Sequence, residues 1–131
     1  MASLIPQKII DVGYIETMST AAYTGDDFVN SGVEFIHVQN GHASLSYDII
    51  ITAQVTNIHH QQFGTVVKRN VAKAVGAGLD AFIGPFKQQA FNDNNEKVQI
   101  TYALTSDGTT AINSNPATHL LKISTLYLDQ Q

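Results

Sequence analysis

The chain has 131 residues, a formal net charge of −4 and no cysteine. This length favours a single domain, and the absence of cysteine excludes disulfide bonds, thiolate nucleophiles and cysteine-ligated metal sites. Charged residues make up only 14% of the chain and only seven residues are lysine or arginine. We expect no nucleic-acid partner, because phosphate binding requires a basic surface.

The N-terminal segment, residues 1–32, keeps no hydrophobic period for long. It predicts an arm or long loop, with residues 24–27 as its most exposed part. Asp26 and Asp27 are therefore expected to be surface carboxylates. No basic residue precedes an apolar stretch here, so no secretory signal is predicted. No run in the chain approaches the ~20 apolar residues that cross a bilayer, and we expect no membrane partner.

Alternation of apolar and polar residues predicts strands along the rest of the chain, beginning with residues 34–39. The run 46–55 is continuously apolar at Ile49, Ile50 and Ile51. This run predicts a central strand that is buried on both faces or contacts a neighbouring subunit. Beyond Gly64, a strand is favoured over residues 65–71, although its tail at 71–75 would also tolerate a helical turn.

The clearest alternation lies at residues 97–102, where Val98, Ile100 and Tyr102 share one face. Residues 120–128 predict a closing strand. Turn-forming stretches separate these runs at 76–78, 84–85, 92–95, 106–108 and 113–116. The pattern predicts an all-β fold. We expect a small β-sandwich or jelly-roll-like barrel of seven or eight strands over residues 33–131, preceded by the N-terminal arm at 1–32.

The sequence contains no recognisable catalytic or metal-binding pattern. Four residues separate His37 from His42, and His59 and His60 are neighbours whose side chains would point to opposite faces of a strand. No serine lies in a Gly-x-Ser-x-Gly elbow. We expect no enzymatic activity, no cofactor and no bound metal. Five tyrosines leave a carbohydrate-binding module open as an alternative: Tyr14, Tyr23, Tyr47, Tyr102 and Tyr127.

The most distinctive stretch, residues 75–86, reads Val-Gly-Ala-Gly-Leu-Asp-Ala-Phe-Ile-Gly-Pro-Phe, and it is followed by Phe-Asn-Asp at 91–93 and Val-Gln-Ile-Thr-Tyr at 98–102. It resembles a family of small proteins encoded among the head genes of tailed bacteriophages, which share an Ile-Gly-Pro-Phe element, a Phe-x-Asp turn and a Val-x-Ile-x-Tyr strand. Residues 35–41 are similar to an earlier strand and turn of that family. The resemblance covers residues 33–128, with Gly76 where proline is usual and an insert at 105–116.

The resemblance implies a virion structural protein that is made in the host cytoplasm, decorates the outside of the phage head and binds the major capsid protein. A homo-oligomer is expected, with a trimer as the first choice, since repeated contacts on a lattice multiply a modest interface. A head–tail connector or a tail protein is the alternative within the virion.

Six apolar residues are candidates for contacts with the capsid or with another subunit. Four lie in the arm, and two flank the corner at which Pro85, which has no N–H, ends a strand at Ile83. The six candidates are Leu4, Ile5, Ile9, Ile10, Phe82 and Phe86.

Overall fold

A computed structural model describes residues 2–10, 12–54, 57–60, 64–67 and 70–128. Within these ranges the chain forms twelve short strands and two single-turn helices. The strands are β1 (Ala2–Leu4), β2 (Gln7–Ile9), β3 (Ser19–Thr20), β4 (Asp26–Val29), β5 (Phe35–Asn40), β6 (Tyr47–Ile51), β7 (Asn57–His60), β8 (Gly64–Val67), β9 (Val71–Val75), β10 (Asp80–Ile83), β11 (Lys97–Leu104) and β12 (Leu121–Leu128); the helices are α1 (Gln88–Phe91) and α2 (Pro116–His119).

Two mixed sheets pack face to face. The first has the strand order β1-β4-β11-β6-β9, and the second has the order β10-β5-β12-β2 with β3 also paired to β12. Strands β7 and β8 form a separate antiparallel hairpin. Both main sheets are mixed because β1 runs parallel to β4 and β2 runs parallel to β12. The prediction of an all-β sandwich is confirmed.

The strands predicted from alternation are present. Val98, Ile100 and Tyr102 of β11 face the interior, as predicted, and Gln99 and Thr101 face outward. The predicted closing strand is β12, and the tail at 71–75 is strand β9 rather than a helical turn.

Strand β6 lies inside the first sheet, between β11 and β9, as a central strand should. Ile49 and Ile51 are fully buried, whereas the intervening Ile50 is only partly buried on the outer face. The continuous isoleucine run is therefore buried on one face of its own sandwich.

The N-terminal segment differs from the expected arm or long loop. Its described residues supply four strands, and these belong to both sheets. Leu4 and Phe28 are buried in the core that the sheets enclose. The short strands pair with partners far along the chain, so the segment carries no local hydrophobic period even though it is part of the sandwich.

The prediction that Asp26 and Asp27 are surface carboxylates was wrong. Both are buried, and they lie in β4, an interior strand of the first sheet between β1 and β11. Asp26 Oδ2 accepts a hydrogen bond from the Tyr102 hydroxyl. Asp27 Oδ1 accepts one from the Ser3 hydroxyl and lies 3.6 Å from Lys97 Nζ. Side-chain donors thus replace water at Asp27 Oδ1 and at one of the two oxygens of Asp26.

Strand β10 ends at Ile83, as Pro85 predicts. Gly84 has a φ of 118°, and a Cβ there would lie 3.2 Å from the Phe35 backbone, so only glycine fits the turn. Phe82 lies before the turn, on the outer face of β10, whereas Phe86 lies after it and is buried in the core. Phe86 packs against Phe28 and Phe91, with ring centroids 6.0 and 5.8 Å away.

Candidate interaction site

Strand pairing gathers one row of side chains on the outer face of the second sheet. The register sets Phe82 of β10 opposite His37 of β5, and Ser124 of β12 opposite His37 on its other side. Directly opposed residues of antiparallel strands have side chains on the same face and in contact range. The row therefore spans three adjacent strands and is centred on His37.

Two carboxylates hold the His37 ring in place. Its Nδ1 lies 2.5 Å from Glu16 Oε1, and its Nε2 lies 3.0 Å from Asp80 Oδ2. The other oxygen of Glu16 accepts a 2.5 Å hydrogen bond from the Ser124 hydroxyl. His37 and Ser124 are buried, whereas 43% of the Asp80 side chain is exposed. The imidazole is thus fixed on both edges while one of its acidic partners remains accessible.

Phe82 covers one face of that imidazole. The two rings are stacked, with centroids 4.4 Å apart and planes 14° from parallel, and the Phe82 ring also lies 6.2 Å from that of Phe35. Phe82 nevertheless remains 66% exposed. Beside Phe35 lies an apolar groove of about 460 Å³, lined by Gly32, Val33, Phe35, Gly84, Pro85 and Leu128.

The loop between β2 and β3 is closed at its base by Gln7. The Gln7 side chain donates to the Thr17 carbonyl and accepts from the Thr17 N–H, both at 2.8 Å, and it also accepts from the Tyr14 hydroxyl. Glu16 ties the same loop to the sheet through His37 and Ser124. These bonds give the loop a defined base.

Apolar side chains project from this loop into solvent. Val12 is 86% exposed and Ile15 is 93% exposed, and Ile5, in the turn that precedes β2, is 82% exposed. Ile10 and Tyr14 are also exposed, though less so. Large exposed apolar side chains concentrated in one region are typical of surfaces that contact other molecules.

The cluster around His37 does not have the residue order of a Ser-His-acid hydrolase triad. In a hydrolase triad the histidine lies between the serine and the acid, because it must take the serine proton. Here Glu16 lies between Ser124 and His37. The two His37 nitrogens also face different carboxylates, and among the described residues no group of histidine and acidic side chains could hold a metal ion.

The six predicted contact residues occupy different environments. Leu4 and Phe86 lie in the core, and Ile9 is partly buried in β2. Ile5, Ile10 and Phe82 are exposed and free to contact a partner.

Other residues considered from the sequence lie elsewhere. His42 accepts hydrogen bonds from the backbone of the loop that follows it. His59 and His60 lie in strand β7. Tyr47 and Tyr102 are buried, whereas Tyr14 and Tyr23 are exposed. The buried tyrosines are unavailable as a sugar platform.

The sequence did not point to Glu16, Asp80 or Ser124. These residues join His37 from separate segments, and only the strand register brings them together. The available signal was a histidine at an outward position of a strand, with a phenylalanine and an acid at alternate positions of another. That signal becomes informative once the pairing of β5 with β10 is known.

No family model, curated protein or solved structure matches this chain. Within the part of the chain that the structure describes, no helix is long and apolar enough to cross a bilayer.

Proposed function

We propose that this chain is a virion structural protein of a tailed bacteriophage, which decorates the outside of the head by binding the major capsid protein. The observation that carries the proposal is a set of highly exposed apolar side chains near the N-terminus. They are Ile5 in the turn before β2, and Val12 and Ile15 in the loop between β2 and β3. A β-sandwich that presents such a segment from a fixed base is suited to adhesion to another protein.

The energetics favour a protein partner for these side chains. Fully burying one isoleucine or valine side chain stabilises a complex by about 1.5–3 kcal/mol before the costs of association are counted. Three such residues supply a modest interface for one copy. A trimer around a symmetry axis of the shell multiplies that interface, because the second and third contacts form at high effective concentration.

Sedimentation with phage heads tests the proposal. The probe is an expanded head shell assembled from the major capsid protein of the same phage, mixed with the purified chain. We expect wild-type protein to sediment with the shell and the double variant Val12→Asp/Ile15→Asp to stay in the supernatant. Leu45→Asp is the matched control, because Leu45 is exposed in a different loop. Wild-type protein that never sediments with shells would refute the proposal.

Two further measurements separate the alternatives. Gold-labelled antibodies on intact virions should mark the head, whereas labelling of the neck or tail would favour a connector or tail protein. A glycan array should show no binding. A saturable glycan signal that is lost in Tyr23→Ala would favour the carbohydrate-binding module, because Tyr23 is an exposed tyrosine.

A further inference from the structure

Strand β10 is an open edge of the second sheet. It pairs with β5 on one side, and no other strand of the described chain pairs with its opposite side. The Asn40 N–H donates to the Leu79 carbonyl, which sets the phase of the ladder. Along an edge strand of an antiparallel pair, the backbone groups of one residue bond to the neighbouring strand, and those of the next residue point away from it. The backbone N–H and C=O groups of Asp80 and Phe82 therefore point away from the sheet.

This edge has only part of the usual protection against strand addition. Exposed edges are commonly blocked by short length, by charged side chains such as lysine, by an internal proline or by a bulge. Strand β10 is four residues long and carries Asp80, but it has no lysine, proline or bulge and keeps a regular register with β5. Its outward side chains are instead an acid and an aromatic ring, Asp80 and Phe82. The apolar groove beside Phe35 extends the surface past the end of the strand.

The charge at the edge selects a basic partner. Asp80 and Glu16 place two carboxylates around His37, and 43% of the Asp80 side chain is open to solvent. By register, Lys122 of β12 lies on the same face as Asp80, with strand β5 between them. The free face of Phe82 can also accept a cation, as aromatic faces attract lysine and arginine.

We propose that the free edge of β10 docks an extended segment of a protein partner by strand addition. The segment carries a lysine or arginine, which contacts Asp80 and the Phe82 ring, followed by an apolar residue that enters the groove beside Phe35. Main-chain hydrogen bonds hold the added strand, and the side-chain pockets give it specificity. The identity of the partner as the major capsid protein rests on the proposed function, whereas the mode of docking rests on this edge alone.

Shell binding by edge variants tests the docking mode. Asp80→Lys reverses the charge, and Phe82→Asp removes the ring. We expect each to weaken binding to head shells by at least about tenfold, as interface hot spots do. Asp80→Asn keeps an acceptor for His37, so it reports on charge alone and should weaken binding less. The matched control is Tyr23→Asp, because Tyr23 is an exposed aromatic residue in the loop between β3 and β4. Circular dichroism and thermal unfolding establish that each variant is folded.

Hydrogen exchange on the wild-type protein provides a readout that does not depend on any variant. The amides of Asp80 and Phe82 should exchange rapidly in the free protein and become protected when shells are added. If wild-type protein binds shells without protecting these amides, and the edge variants bind equally well, docking at β10 is overturned while the proposed function stands. If wild-type protein does not bind shells, the proposed function fails first.

Discussion

The Tyr102 hydroxyl donates a 2.5 Å hydrogen bond to Asp26 Oδ2 inside the sandwich, where both side chains are buried. The same oxygen accepts the Ala22 N–H at 3.1 Å, and Oδ1 has no hydrogen-bond partner among the described residues. Burial raises the pKa of Asp26, and burial beside this carboxylate raises the pKa of Tyr102 well above its ordinary value. The interior thus holds an acid whose ionised form is disfavoured.

Asp26 should make the protein less stable as the pH rises. Its pKa is 3.8 in the unfolded chain and higher in the folded protein, so the folded state binds more protons between those two values. Stability contributed by the neutral acid is present below pH 3.8 and is lost as the pH rises through the folded pKa. Urea unfolding across this range should show wild-type protein losing stability relative to Asp26→Asn.

Asp107 provides a control with the opposite sign. Hydrogen bonds from the Thr110 side chain and from the backbone of Thr109 and Thr110 lower the pKa of Asp107 below 3.8. Its contribution is therefore lost as the pH falls through the folded pKa, and wild-type protein should lose stability relative to Asp107→Asn in acid. For Asp26, a difference in unfolding free energy between wild type and Asp26→Asn that does not change with pH would contradict the raised pKa of this buried acid.

His119 should make the protein sensitive to mild acid. It is buried at the end of α2, where its Nδ1 accepts the Leu121 N–H at 2.9 Å. Burial lowers the pKa of His119 below 6.5, and a hydrogen bond with the Ala21 backbone partly opposes that shift. The unfolded chain therefore binds more protons than the folded protein once the pH drops below 6.5. The free energy of unfolding should decrease as the pH is lowered from 6.5 to the pKa of His119 in the folded protein.

His119→Gln removes this titration while retaining one donor and one acceptor. The free energy of unfolding, measured by urea denaturation between pH 7 and the onset of acid unfolding, should fall more steeply for wild type than for the variant. Parallel curves for the two proteins would show that His119 takes no part in the acid response.

Glu16 should stabilise the β2–β3 loop through two buried donors. Glu16→Ala leaves His37 Nδ1 and the Ser124 hydroxyl without their acceptor, and such buried unpaired groups cost about 1–3 kcal/mol each. We expect a loss of that order in urea unfolding and faster exchange of the Thr17 amide. In a Ser124→Ala background the same substitution should cost less, because one of the two donors is already absent. Equal costs in both backgrounds would show that the Glu16–Ser124 bond contributes nothing.

The sequence was sufficient to predict the long strands of the sandwich. Val98, Ile100 and Tyr102 alternate cleanly because β11 has one face in the core, and Pro85 limits β10 because it cannot donate to a ladder. The N-terminal strands could not be predicted in this way. They contain two to four residues each, and their stability comes from distant partners rather than from a local period.

The environment of individual polar residues was harder to predict than the strands. Asp26 and Asp27 have the composition of an exposed loop, and their burial depends on donors from Tyr102 and Ser3. The surface around His37 depends in the same way on register, which no short motif encodes. Phe82 was the part of this surface that the sequence marked as a contact candidate, because it flanks the corner at Pro85.

Phe82 and Phe86 should respond differently to truncation, although only three residues separate them. Phe86 is buried against Phe28 and Phe91, so Phe86→Ala should lower the free energy of unfolding by about 3–5 kcal/mol. Phe82 loses only its stacking on His37 and its contact with Phe35, and Phe82→Ala should cost less than about 1.5 kcal/mol. Chemical denaturation measures both. Equal losses would mean that Phe82 is a second core anchor, since a ring that is largely in water has little packing to lose.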